Sequence, residues 1–263
     1  VTCLPSFVDL EIAVWGLHPR DAVPLNMLHA VIASGGSLIG AYIQGESDPV
    51  GMTFGFPARY DNQWILWSHM TGVHREYQRS GIGLMLKLRQ REWALEHGFR
   101  TIRWTFDPLQ AGNANFNLRL LGAEADRYYI NYYGEMADTI NAGLPSDRVV
   151  ARWDLRRQRP TPPKYDVRPS KTWPLSSDSS GTPRLEPVID TALRSHFVEI
   201  PARISDLQRT DHELALSWRL ALRDVLKPAL DSGAVLTDFV RINDRCCYVL
   251  SMPVAWYMYV LIC

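Results

Sequence analysis

The stretch Val73-His74-Arg75-Glu76-Tyr77-Gln78-Arg79-Ser80-Gly81-Ile82-Gly83 decides how this chain reads. It follows an apolar run that suits a strand, and it opens an amphipathic helix. Glycines at 81 and 83 let the backbone turn tightly and approach a ligand closely. The helix that begins there offers unpaired N–H groups and the positive end of its dipole. Together these make a seat for a pyrophosphate. Arg75 and Arg79 add positive charge beside it. A Walker loop would need Lys-Ser/Thr after the last glycine, where this chain has Leu84-Met85. A dinucleotide fingerprint would follow the first strand, and this motif follows the third.

Outward from the loop, the pattern predicts helices within 9–34, with Pro24 starting the second and Gly35-Gly36 ending it. Strands are expected at 37–44, 50–56 and 64–73, joined by turns and so largely antiparallel. A helix over 83–97 carries Leu84, Leu88, Trp93 and Leu95 on its apolar faces, with Gly98 at its C-terminal cap. A strand at 100–106, a short helix at 113–121 and strands at 128–133 and 148–155 complete the first unit. The strand-helix-strand step makes the sheet mixed. The fold class is therefore α/β (α+β): a mixed, mostly antiparallel central sheet flanked by helices, with a C-terminal helix-hairpin appendage.

Three segments follow from composition. Residues 1–158 form the ligand-binding domain. Residues 159–190 are rich in proline, with seven of the chain's 17 between 160 and 187, and read as a linker. Residues 191–263 hold a capping box at Thr210–Glu213, a helix ending near Gly233, and a hairpin across Asn243-Asp244-Arg245. About 65 residues of this kind hardly stand alone, so the unit is expected to pack on the first domain or on a partner subunit, as in a homodimer.

Lys+Arg and Asp+Glu both number 28, so no net field draws nucleic acid or anionic membrane. The cysteines at 3, 246, 247 and 263 lack zinc spacing and suit a reducing, cytoplasmic setting with no metal. The uncharged run 246–263 falls short of the ~20 apolar residues of a membrane span. It reads as a buried strand plus an apolar extension, with no stable membrane association.

Val73–Gly83 resembles the acyl-CoA pyrophosphate loop of the GNAT acyltransferase superfamily. The order of elements over roughly 5–155 is similar too. Within that superfamily, Trp104–Gln110 with Asn113–Leu118 resembles a branch of acetyltransferases assigned from sequence with substrates unassigned. Asn131–Gly134, Pro145–Arg148, Ile200–Ala202 and Trp218-Arg219 share that likeness. The resemblance implies a GNAT fold and an acetyl-CoA-dependent N-acetyltransferase acting on a primary amine, such as a small molecule, by direct attack in a ternary complex. It implies that the backbone near Val73 pairs with the pantetheine arm, and that the N–H groups of Gln78, Arg79, Ser80, Gly81, Ile82 and Gly83 hold the pyrophosphate. Asn113 would sit near the pantetheine. An acyl-CoA-binding sensor with little turnover, and an N-acyltransferase using a larger acyl group such as succinyl on amino acids, are the alternatives.

Acyl transfer to an amine needs a base, donors for the developing oxyanion, and a path for the thiolate to leave. Backbone N–H groups at a bulge in strand 64–73 suit the oxyanion. His69 lies on that strand, where some members of the superfamily place a base, and its imidazole titrates in the useful range. The other reading is a histidine packed in the core. Many members carry a tyrosine as acid four residues before the glycine that closes the short helix. Here that position is Leu118; Tyr132, with Tyr128 or Tyr133 beside it, is the substitute candidate, or the thiolate leaves unaided, since a thiol of pKa about 8.5 is a tolerable leaving group, and cross-strand packing is the tyrosines' other role. Asp107, at the end of its strand, either binds the substrate amine or caps the turn that follows. Asp147-Arg148 reads as a substrate carboxylate clamp, or as an exposed ion pair or turn residue.

Overall fold

A computed structural model of the chain describes residues 4–134, 143–157, 173–186 and 195–253. It forms two compact units: residues 1–105, 133–146 and 150–160 in the first, and 106–132, 147–149 and 161–263 in the second.

The first unit begins with helices α1 (Leu4–Trp15) and α2 (Leu25–Ala33), with Pro24 capping α2 as the sequence implies. Buried Glu11 of α1 accepts the Val23 N–H through both carboxylate oxygens, at 3.2 and 3.1 Å, and so fixes the connection between the helices. Strands β1 (Ser37–Tyr42), β2 (Pro49–Tyr60) and β3 (Gln63–Val73) form an antiparallel meander. Asp61 and Asn62 both take positive φ between β2 and β3, which suits a two-residue hairpin turn matched to strand twist. A single turn of 3₁₀ helix (Arg75–Tyr77) leads to α3 (Ile82–Glu96), and β4 (Thr101–Phe106) returns parallel to β3. The sheet is therefore mixed, as expected.

Two hydrophobic clusters cover its faces. On one, Leu4, Phe7 and Leu10 of α1 pack on Met52, with Trp15, Leu38 and Met70 beside them. On the other, Ile82 and Leu86 of α3 pack on Val50, with Ile39, Val73 and Tyr77. Leu38 and Ile39 are adjacent and serve opposite faces, as strand alternation requires. Gly72 faces α1 without room for a side chain, since a Cβ there would lie 2.7 Å from the Trp15 ring. The buried stripe of α3 is Ile82, Leu86, Lys87, Gln90 and Ala94. That corrects the sequence expectation. Leu88 and Leu95 are exposed, as is Met85, because the helix sits on the sheet through residues spaced 82-86-90-94.

In the second unit, α4 (Ala111–Ala114) runs into a π-helical turn over Asn115–Leu120, closed by Leu121 N–H on the Phe116 carbonyl at 3.0 Å. Strand β5 spans Glu124–Tyr129, not 128–133. The chain leaves it at Asn131, whose φ is 48° and whose N–H donates to Asp147 at 2.9 Å. Strand β6 spans Arg148–Asp154, and its residues from Val150 on belong to the first unit. Within the stretch that reads as linker, β7 (Leu175–Ser177) and β8 (Pro183–Leu185) form a hairpin. The flanking residues 158–172 and 187–194 lie outside the described residues. Strand β9 (Ser195–Ile200) and helix α5 (Ile204–Thr210) are further elements that the pattern did not signal.

Helix α6 (His212–Asp231) starts at Asp211, whose carboxylate accepts the Leu214 N–H at 3.0 Å, one residue later than the expected cap at Thr210. The hairpin of β10 (Val235–Ile242) and β11 (Arg245–Ser251) follows, turning at Asn243-Asp244 with positive φ at both. In this unit the strands run β5-β10-β11-β9-β7-β8. Residues 106–132 thus share a unit with the C-terminal helix and hairpin. Within the apolar run 246–263, residues 246–251 are in β11 and 254–263 lie outside the described residues. No helix among the described residues is long and apolar enough to cross a membrane.

Candidate active site

The loop after β3 uses the Gln78 N–H, expected to hold the pyrophosphate, on the Arg75 carbonyl at 3.4 Å, and leaves the N–H groups of Ser80 to Gly83 free. His74 N–H donates to the Val50 carbonyl at 2.8 Å, which anchors the chain as it leaves the sheet. The Ser80 hydroxyl donates to the Tyr77 carbonyl at 2.6 Å, and Gln78 Nε2 to the Val73 carbonyl at 3.3 Å. Arg79 (φ 65°) and Gly81 (φ 90°) both take the left-handed conformation, which brings the backbone round into α3. Gly81 caps α3 without a side-chain acceptor, and open space lies where its Cβ would be. The first α3 hydrogen bond runs from Met85 N–H to the Gly81 carbonyl at 3.1 Å, so the N–H groups just before it have no intrahelical acceptor. Arg75, Gln78, Arg79, Ser80 and Gly81 are exposed. Glu76 is exposed as well, consistent with a solvated side chain.

Beside this loop the sheet is opened twice. First, β3 and β4 pair only through Leu66 with Ile102 and Trp67 with Arg103. Beyond Trp67, β3 continues to Val73 without β4 beside it. Second, Gly55 pairs with Ser68 and Phe54 with Met70, so His69 is an extra residue in a β-bulge. The bulge resets the alternation of side chains. Ser68 meets Lys87 of α3, whereas Met70, two residues on, packs in the α1 cluster. The bulged residue lies two positions past the last β3–β4 pair, on the strand where the oxyanion reading expects a bulge.

His69 projects on the α1 face, against the rings of Phe54 and Phe56 at centroid distances of 6.1 and 5.9 Å. Its side chain is nonetheless exposed to solvent. Desolvation by these neighbours lowers its pKa from the usual histidine value, which favours the neutral, proton-accepting form at pH 7. The same face carries Tyr60 stacked on Trp67, centroids 6.3 Å apart, with the Arg103 guanidinium 4.3 Å above the Tyr60 ring. Thr105 and Tyr133 share a hydroxyl hydrogen bond of 3.1 Å.

On the α3 face, sequence reading passed over Lys87. It is buried, and its Nζ donates to Ser68 Oγ at 3.0 Å and to Gln90 Oε1 at 2.8 Å. It also lies 4.1 Å from the centre of the Trp104 ring. Burial pushes its pKa down from 10.5 to about 7. The signal that could have found it is its place beside the 82-86-90-94 row, next to Leu86 and three residues before Gln90, on the buried side of the helix.

The first unit thus brings together His69, Val73 and the loop Gln78–Gly83. Asp107, Asn113 and Tyr132 belong to the second unit. Asn113 is exposed on α4. Tyr132 is exposed, its ring 5.4 Å from that of Tyr129. Asp107 caps its turn by accepting the Leu109 N–H at 2.9 Å, and it pairs with buried Arg219 at 2.8 Å. Asp147 is fully buried, not an exposed ion pair. It accepts from Arg223 at 2.9 and 3.0 Å, from Tyr128 at 2.7 Å and from the Asn131 N–H. Burial pushes its pKa up, but these donors together hold it below the usual carboxylate value. Tyr128 is raised by burial and by Asp147, so it is held protonated. Leu118 is buried and carries no proton to give.

Among the described residues no cluster suits a metal ion. No curated protein matches the sequence significantly. Solved structures similar at low identity include the following three. Ribosomal-protein-S18-alanine N-acetyltransferase from Escherichia coli is 14% identical, covers 60% of this chain and 91% of its own, with a TM-score of 0.48. Arabidopsis thaliana Naa50 in complex with a bisubstrate analogue is 17% identical, with 57% and 91% covered and a TM-score of 0.46. A GNAT family acetyltransferase from Elizabethkingia anophelis with acetyl-CoA bound is 15% identical, with 49% and 82% covered and a TM-score of 0.40. The model of the acetyltransferase (GNAT) family matches residues 5–123, which run from α1 through the loop, the bulge and the β3–β4 opening to the end of the π turn. Over those residues the chain is therefore similar to the GNAT acetyltransferase family.

Proposed function

We propose that this protein transfers an acetyl group from acetyl-CoA to a primary amine, with both substrates bound together. The observation that carries the reading is the succession, on one strand, of the β3–β4 opening, the His69 bulge and the donor-rich loop at the start of α3. The residues present fit an acyl-CoA. The uncapped N–H groups of Ser80 to Gly83 suit the pyrophosphate, and the unpaired edge of β3 up to Val73 suits the amide-bearing pantetheine arm. Acetyl-CoA would supply a thioester, an acyl group already activated toward amines.

Within this reading the chain's own groups have distinct tasks. His69, neutral at pH 7, takes the proton that the acceptor amine must lose. Backbone N–H groups at the bulge face the developing negative charge on the carbonyl oxygen. Phe54, Phe56, Trp67 and Tyr60 form an aromatic wall beside His69 that suits an amine on a small, partly apolar molecule. A cytoplasmic location, where acetyl-CoA is made and used, belongs to the same proposal.

The test is release of free thiol from acetyl-CoA across a panel of amines, with succinyl-CoA in competition. Turnover with acetyl-CoA preferred is expected. Tight CoA binding with no turnover on any amine would replace this reading with a sensor, which the buried Leu118 in place of an acid would then explain.

A further inference from the structure

Lys87 stands where the sheet opens. The last β3–β4 pair is Trp67 with Arg103. The next residue on β3 is Ser68, and the next on β4 is Trp104. Lys87 touches both, through a hydrogen bond to Ser68 Oγ and through the face of the Trp104 ring. Its amine therefore closes the vertex of the opening from the α3 side. One residue further along β3, His69 stands at the bulge on the opposite, α1 side. The opening is thus flanked by one proton-carrying group on each face.

Among the described residues nothing neutralises Lys87. The groups that meet it are Ser68 on β3, Gln90 on α3 and Trp104 on β4, none of them ionisable. Among the described residues it has no carboxylate partner. A purely structural lysine in this position would be better replaced by methionine, of similar length and with no charge to desolvate.

We propose that Lys87 donates the proton that the leaving thiolate needs, acting from the α3 face of the opening while His69 acts from the other. This rests on the acyl-transfer reading above. The amine nitrogen forms its bond to the acyl carbon, and the carbon–sulfur bond breaks with its electron pair left on sulfur. Lys87 passes an Nζ proton to that sulfur. His69 holds the proton lost by the amine, and solvent returns a proton to Lys87. The net products are the amide and a free thiol. The acid is suited to the task, since an ammonium depressed by burial is a stronger acid than a thiol near 8.5. It also fills a gap, because Leu118 stands where the resemblance leads one to expect the acid.

The test combines a binding readout with turnover, using the wild type, Lys87→Met and Lys87→Arg. The thiol of bound CoA is titrated by its thiolate ultraviolet absorbance. In the wild type the thiol and Lys87 should titrate as a coupled pair, with thiolate appearing at lower pH than in free CoA. Lys87→Met should abolish that shift, while desulfo-CoA, which lacks the sulfur, binds both proteins equally. Lys87→Arg should keep the shift, since arginine stays charged. In turnover, both variants should lose roughly 10²-fold or more in kcat with KM for acetyl-CoA within about threefold, and Lys87→Arg should lack the alkaline fall in kcat. A kcat within threefold of wild type in either variant overturns the proposal, and so does a bound-thiol pKa that ignores Lys87→Met. If Lys87→Met does not fold, the kcat and pH profile of Lys87→Arg decide. A wild type that turns over acetyl-CoA while the variants match it removes Lys87 alone. A wild type that binds no CoA removes the acyl-transfer reading and this proposal with it.

Discussion

Replacing Lys87 with methionine should change how stability depends on pH, whatever it does to catalysis. Burial lowers the Lys87 pKa from 10.5 to about 7. Below pH 7 the amine is protonated folded and unfolded, and the folded state carries the full cost of a desolvated charge. Between pH 7 and 10.5 the unfolded chain binds a proton that the folded one does not, so stability rises with pH. Above 10.5 both are neutral and the cost is gone. At about 1.4 kcal/mol per unit, the full cost is about 5 kcal/mol. Between pH 6 and pH 9 the wild type should regain about 2.5 kcal/mol of it relative to Lys87→Met. The variant leaves Ser68 Oγ and Gln90 Oε1 without their donor, but that loss is the same at every pH. Urea unfolding of both proteins at pH 6, 7, 8 and 9, followed by tryptophan fluorescence and circular dichroism, reads the difference directly. A difference constant within about 0.5 kcal/mol over that range would show that Lys87 is not desolvated, and would refute the reasoning.

Other outcomes follow from the same geometry. His69→Ala should lower kcat by about 10²–10⁴-fold, and a change below tenfold would remove it as base. Because His69 titrates below the usual histidine value, the acid limb of the wild-type kcat/KM profile should lie below pH 6.5 and disappear in His69→Gln. Gly81→Trp places a side chain at φ 90° in the mouth of the loop, so CoA affinity measured by calorimetry should fall at least tenfold; unaltered affinity sinks the loop assignment. Asp147→Asn leaves Arg223 without its anion and should cost about 3 kcal/mol of stability, read as a lower urea midpoint; an unchanged midpoint would show the pair to be idle.

What the sequence disclosed depends on how local each feature is. The loop 73–83 is contiguous, and its glycines, its strand before and its helix after are all read within about 25 residues. The His69 bulge is different. The residue can be placed on a strand from its own neighbours, but the extra residue exists only relative to β2, where Phe54 and Gly55 pair with Met70 and Ser68. Helix α3 has apolar residues on both sides, and Leu84, Leu88, Trp93 and Leu95 stand out by apolar spacing alone. The buried stripe instead holds Lys87 and Gln90, polar residues that a pattern of apolar spacing discards. Tyr128–Tyr133 read as a strand because aromatics favour strands, yet the turn at Asn131 is set by Asp147, a partner 16 residues away. Strands β7 to β9 were hidden by proline and serine, whose presence marks a linker unless pairing with a distant strand overrides it.

The treatment of buried charge separates scaffold from site. Arg219 has Asp107 at 2.8 Å, and Arg223 has Asp147 at 2.9 Å, so each cation is met by a carboxylate within the same unit. Such pairs cost little when intact and much when broken, which makes them ties that hold α6 to residues 106–132 and 147–149. Lys87 is met by a hydroxyl, an amide oxygen and an indole face, which solvate it without cancelling its charge. A folded protein gains nothing in stability from that arrangement, and apolar residues of the same size would serve the core better. Local choices that contradict stability are expected at functional sites. The contradiction here falls on the first residues past the last β3–β4 pair, across the sheet from the one bulged histidine. A proton donor needs a charge that it can give up readily, and desolvation without a counter-ion is the way a lysine comes to hold its proton loosely near pH 7.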